Sequence, residues 1–237
     1  MRVIVLKITG SVFNDITGET VNLLKSYREK VFDRVLQRGE RMVVVIGGGK
    51  YARWYIKAGE KLGVSKYGLD VLGILASRMN ATLLAEFLSP AACPLVPESI
   101  NEVRVLIQQY PIVVCGGIIP GQSTDAVASL IAEAVGSNQL IVATKVNGVY
   151  DKDPSKHRHA RLLPKLTFEE FEALLTDLSQ RPGEYALFDH IALRIAKRSR
   201  IAIWFVNARD VDSVAAILSG NRPRLGTLVS SRREQKL

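Results

Sequence analysis

The chain has 237 residues, 47% of them hydrophobic and 23% charged, with a formal net charge of +9. That balance supports a sizeable buried core and excludes extensive disorder, and no apolar run is long enough to cross a bilayer. The start, MRVIVLKITGS, offers no plausible cleavage site, so no signal peptide and a cytoplasmic location are expected.

Strand and helix patterns alternate along the whole chain. Residues 2–8 read as a first strand. Residues 20–38 carry Val21, Leu24, Val31, Val35 and Leu36 at helical spacing, with Gly39 placed to end that helix. A strand over 42–46 follows, then helices over about 50–62 and 67–80 and a strand over 81–87. Ser99 and Glu102 form a capping-box pattern for a helix over 99–109. Beyond it come strand 112–115, helix 124–135 and strand 139–143, and Thr167 and Glu170 repeat the capping pattern for helix 167–178. Helix 189–199, strand 201–206, a helix over 210–219 stopped by Gly220 and a closing strand near 226–230 complete the series, with SRREQKL expected to fray. Such alternation predicts an α/β fold with a mostly parallel sheet and helices on both faces.

Three glycine-bearing turns each follow a β-branched run. They are Gly47–Gly49 after MVVVI, Gly116–Asp125 (GGIIPGQSTD) after PIVVC, and Thr144–Pro154 (TKVNGVYDKDP) after QLIVA. In a parallel sheet all three gather at the carboxyl rim, where open α/β sheets bind ligands. Glycine lets backbone N–H groups approach an anion, and a helix starting there adds its positive dipole end. Three converging turns point to a polyphosphate substrate. GGGKY is neither a Walker A motif nor a GxGxxG fingerprint. Lys7 ends the first strand, before Thr9-Gly10-Ser11, in reach of an oxygen between two phosphates. Asp125, in the first turn of a helix, is placed to orient Lys7, to bind Mg²⁺ through water, or merely to complement the dipole.

Cys93 and Cys115, the two cysteines, read as buried small hydrophobes. His157 and His159 lack acidic or cysteine neighbours at ligand spacing, so no metal site is expected. The late basic clusters, such as Arg194, Lys197, Arg198 and Arg200, have no interleaved aromatics and read as solvated surface, not a nucleic-acid face.

The segments LKITGSVF, VIGGGKYAR, GLDVLGI, GGIIPGQSTDAVA, ATKVNGVYDKDP and FDHIALRIAKRS, in that order, resemble the amino acid kinase family and, within it, the archaeal-type uridylate (UMP) kinases. The resemblance implies a three-layer αβα sandwich on a mainly parallel sheet. It implies one domain over 1–237, with acceptor contacts mainly in 1–135 and ATP contacts mainly in 136–237. It further implies transfer of the γ-phosphoryl of ATP, carried with Mg²⁺, to UMP in pyrimidine nucleotide biosynthesis, by a homo-oligomer expected to be a hexamer. By position, Gly10, Ser11, Gly49, Arg53, Thr144, Tyr150 and Asp153 would hold ATP. Gly48, Asp70, Gly117, Ile118, Ile119, Pro120, Gly121, Gln122, Ser123 and Thr124 would hold UMP. Lys7, Asp125 and Asp189 match the charged catalytic positions. Asn147 departs from the family's usual aspartate. Rival readings are a sister kinase acting on isopentenyl phosphate or another acid, a nucleotide-binding protein without catalysis, and a basic nucleic-acid module.

Overall fold

The computed structural model describes residues 2–16, 18–179 and 187–231, with Leu178 and Ser179 described by backbone alone. The end of the SRREQKL tail, from residue 232, lies outside the described residues. One seven-stranded sheet organises them, in the spatial order β3-β2-β1-β4-β6-β7-β5. The strands are β1 Val3–Ile8, β2 Arg41–Ile46, β3 Ile112–Cys115, β4 Gln139–Thr144, β5 Lys165–Thr167, β6 Ala202–Asn207 and β7 Thr227–Ser230. The pairings β1–β2, β1–β4, β2–β3 and β4–β6 are parallel, and β5 runs parallel to β7. Among the named strands of the described residues, β6–β7 is the one antiparallel pairing. The mainly parallel αβα arrangement implied by the sequence is the one observed.

Two apolar layers sandwich the sheet, sorted by the period-two alternation of strand side chains. Leu6 and Ile8 face Phe13, Tyr27, Phe32 and Leu84, whereas Val5, Val43 and Val45 face Ile107, Ile131, Leu193 and Phe205. The first layer is built by helices α1 (Gly18–Tyr27), α2 (Asp33–Gln37), α4 (Lys66–Phe87) and α9 (Val211–Leu218). The second is built by α5 (Ile100–Gln109), α6 (Thr124–Ala134), α7 (Phe168–Ser179) and α8 (His190–Arg198). Burying each large aliphatic side chain in these layers contributes about 1.5–3 kcal/mol. Cys93 and Cys115 are buried and unpaired, and burial pushes the Cys115 thiol up to about 12.

The structure departs from the sequence expectations at three places. The segment 81–87 is the last part of the 22-residue helix α4, not a strand. Ala81, Leu84, Ala85 and Leu88 are buried at helical spacing, while Thr82, Leu83 and Glu86 are exposed. Alanine, leucine and glutamate are strong helix formers, and nothing in ATLLAEF interrupts the turn before it. The three-residue strand β5 was not anticipated, being too short to show an alternation. The long first helix is also not uniform. A π-turn over Arg28–Phe32 separates α1 from α2, and consecutive Val31 and Phe32 are both fully buried there.

Candidate active site

Because β1, β2, β3 and β4 are parallel neighbours, their carboxyl ends open on one edge of the sheet. After β1 the chain makes a 3₁₀ turn, Gly10–Phe13, and after β2 it enters helix α3, Gly49–Lys61. These two turns are in main-chain contact. A Cβ on Gly10 would overlap Gly49 N and Gly47 O, and one on Gly47 would lie 2.7 Å from Gly10 N and 3.7 Å from Thr124 Oγ1. Gly49 has φ +66°, which a side chain would strain. The glycine triplet therefore has a packing reason beside any ligand: it lets three loops close on one point. The Asn14 carboxamide reinforces the junction, its Oδ1 accepting from Lys50 N at 2.7 Å.

Lys7 is the charged exception in a strand of buried side chains, itself only 8% exposed. Its Nζ lies 2.7 Å from Asp125 Oδ1 in the first turn of α6. The orienting contact offered as one reading of Asp125 is thus present. Ser123 caps α6, its Oγ accepting from Asp125 N and Ala126 N at 3.1 Å each. The same hydroxyl donates to Asp189, whose other carboxylate oxygen caps α8 by accepting from Ala192 N at 2.6 Å. Lys7, Asp125 and Asp189 are thereby joined at the amino ends of two helices, where the dipoles favour negative charge. An ammonium and two helix ends make a focus suited to phosphate oxygens.

The Gly116–Asp125 loop runs out from β3 and is held by α4. Ser77 Oγ accepts from Gly117 N at 2.7 Å, Arg78 Nε donates to Gly117 O at 3.3 Å, and Asp70 accepts from Gly121 N at 2.8 Å. Gly121 takes φ +78°, and Gln122 N closes a turn onto Ile119 O at 3.2 Å. Ile118, Ile119 and Pro120 are half-buried along it, and Thr124 opens α6. Gly48 packs against Gly73 and Ser77 of α4. The N–H groups of Gly117 and Gly121 are thus engaged by side chains of α4.

On the other flank Thr144 ends β4, and Asn147 Oδ1 accepts from Asn207 Nδ2 at 3.0 Å, a bond an aspartate would accept equally. Tyr150 is half-buried and bridges by its backbone to Leu162. Asp153 is buried, and the Ser155 hydroxyl and N–H that bond its carboxylate hold it below the usual carboxylate range. Arg53 lies exposed on α3. Ser11, Asn14, Thr144, Lys145, Asn207 and Arg209 line part of a cavity of about 370 Å³ beside the rim, within which Arg209 pairs with Glu19. Among the described residues no group of three or more His, Cys, Asp or Glu side chains is arranged to hold a metal ion, and no helix is long and apolar enough to cross a membrane.

Asn14, Ser77 and Asn80 escaped the sequence reading. Asn80 is 3% exposed and donates from Nδ2 to Gly47 O at 2.9 Å. Two buried polar side chains, Ser77 and Asn80, on a helix face otherwise lined by alanine and leucine are the signal.

The sequence pattern of the amino acid kinase family matches residues 2–207. A uridylate kinase of Sulfolobus acidocaldarius is 43% identical, the match covering 94% of this chain and 97% of that protein. A uridylate kinase of Hyperthermus butylicus is 42% identical, over 96% of this chain and 97% of its own. The crystal structure of uridylate kinase from Archaeoglobus fulgidus superposes with a TM-score of 0.84 at 31% identity, covering 97% of this chain and all of that one (100%).

Proposed function

We propose, for a chain that belongs to the amino acid kinase family, that it is a UMP kinase, transferring the γ-phosphoryl of ATP to UMP to give UDP and ADP. The observation that carries this reading is the meeting of three strand-end loops around Lys7 and the amino ends of α6 and α8, in a chain aligned over nearly its whole length with archaeal uridylate kinases.

Phosphoryl transfer needs two repelling anions set end to end, and it asks the protein for position and charge. Mg²⁺ enters as part of the MgATP substrate. On the donor side Gly10, Ser11, Gly49 and Arg53 face the triphosphate, and Thr144, Tyr150 and Asp153 the nucleoside. On the acceptor side Gly48 and the loop from Gly117 to Thr124 receive the UMP phosphate, and Asp70 the ribose. Asp70 engages Gly121 N in this structure, so ribose binding would use its second carboxylate oxygen or replace that bond. Lys7, held by Asp125, supplies fixed positive charge to the transferring group. The UMP phosphate is already a nucleophile, and no enzyme-bound intermediate is required.

The protein is read as a cytoplasmic enzyme of pyrimidine nucleotide synthesis that works as a homo-oligomer, a hexamer by family expectation. Large apolar side chains exposed on α3, on α4 and in the turn between them support assembly: Trp54, Leu62, Tyr67 and Met79 are 60%, 81%, 69% and 56% exposed. A coupled ADP-release assay over a panel of acceptors with MgATP tests the activity. UMP should outpace CMP, and isopentenyl phosphate should be inert. A faster rate with isopentenyl phosphate would assign the site to a sister kinase.

A further inference from the structure

Four polar side chains on α4 reach the glycine loops without belonging to them. Asp70 and Ser77 are two turns apart on one face, roughly 10 Å along the axis, and they take the N–H groups at the two ends of the acceptor loop, Gly121 and Gly117. Ser77 is 1% exposed, and its own hydroxyl donates a hydrogen bond to Ile74 O at 2.7 Å. Its acceptor role is therefore fixed in direction. Arg78, one residue on, donates to Gly117 O and pairs with Glu98 at 2.9 Å. A turn further along, Asn80 engages a different loop, donating to Gly47 O. Gly47 lies directly against Gly10 of the first turn. One helix thus grips the acceptor loop at Ser77 and, at Asn80, the loop that packs on the donor turn.

We propose that Ser77 and Asn80 are positioning residues for phosphoryl transfer, Ser77 registering the acceptor loop and Asn80 the donor turn, so that α4 sets the distance between the two substrates. The inference rests on the UMP kinase reading, because it places the UMP phosphate in the loop Ser77 holds and the ATP triphosphate on the Gly10 turn against which Gly47 packs. Neither side chain touches substrate. Each satisfies a backbone group that would otherwise be free to turn, and losing one such bond is worth about a factor of ten.

The test is calorimetric binding of UMP alone and of a non-hydrolysable ATP analogue alone, with steady-state kinetics and melting temperature, on wild type, Ser77→Ala, Asn80→Ala and Asn80→Asp. Ser77→Ala should weaken UMP binding about tenfold and leave the ATP analogue within about twofold. Asn80→Ala should do the reverse. Asn80→Asp keeps the side-chain volume but sets an oxygen against Gly47 O, so it should weaken the ATP analogue at least as much. A merely structural role would lower the melting temperature and the active fraction while leaving both affinities of the folded protein unchanged. That result, equal weakening of both ligands by either variant, or wild-type affinities in Asn80→Asp overturns the inference. The wild-type arm judges the kinase reading separately: if wild type binds neither nucleotide, that reading falls and takes this inference with it.

Discussion

Lys7 is one ammonium in a strand whose neighbours are fully buried, and a buried charge persists only when paired. Asp125 provides the pair at 2.7 Å, and the rim lets the ammonium face an incoming anion. Lys7→Ala should lower turnover at least about a hundredfold, the scale of one lost oxyanion donor, and steady-state kinetics with MgATP and UMP will show it. Wild-type turnover in that variant would remove Lys7 from the mechanism. Gly10 makes a different demand. Any side chain there meets main-chain atoms of Gly47 and Gly49, which cannot rotate away. Gly10→Ala should therefore abolish ATP binding by forcing the two turns apart, measured against a far-ultraviolet spectrum that stays α/β. Lys7 and the glycines were legible in the sequence because strand ends and glycine runs are local signals. The mutual wedging of Gly10 and Gly47 was not, since it joins residues 37 apart in the chain.

Elements with strong end signals were read well. Thr167 and Glu170 form the reciprocal box expected, Glu170 N to Thr167 Oγ1 at 3.2 Å and Thr167 N to Glu170 Oε2 at 2.8 Å. Ser99 caps α5 as anticipated, although Glu102 returns its bond to Glu98 N. The false strand at 81–87 shows the limit: a short apolar run has no decisive period, and continuity with the preceding helix decided its form. The pairing of α6 with α8 offers a measurable pH effect. Arg198 and Ser199 hydrogen-bond the Glu133 carboxylate and hold it below its ordinary 4.5. A depressed carboxyl contributes stability that is complete above about 4.5 and lost as pH falls through the lowered value. Glu133→Gln should melt below wild type at pH 7, and the gap should close as pH drops under that range. A gap independent of pH would place the contribution in packing instead.

The described residues form one sheet with a helical layer on each face, and the proposed function depends on strand order as much as on any residue. Placing β1 between β2 and β4 brings the turns after three strands side by side. The exposed apolar side chains of α3 and α4 belong to this scale too. Sedimentation velocity should find an assembly larger than one chain, and Leu75→Glu with Met79→Glu, two exposed side chains one turn apart on α4, should shift it toward smaller species. A wild-type protein that sediments as a single chain at all concentrations would end the oligomer reading.

The sequence by itself determined most of the alternating elements, the capping patterns at Ser99 and Thr167, the glycine turns at strand ends and the family to which they belong, because each is written in spacing and composition over a few residues. The tertiary structure decided how those turns meet. The Gly10–Gly47 contact, the Lys7–Asp125 pair and the grip of α4 through Asp70, Ser77 and Asn80 all join distant stretches of chain. Such partners are set by strand order and helix packing, which no local pattern of residues encodes.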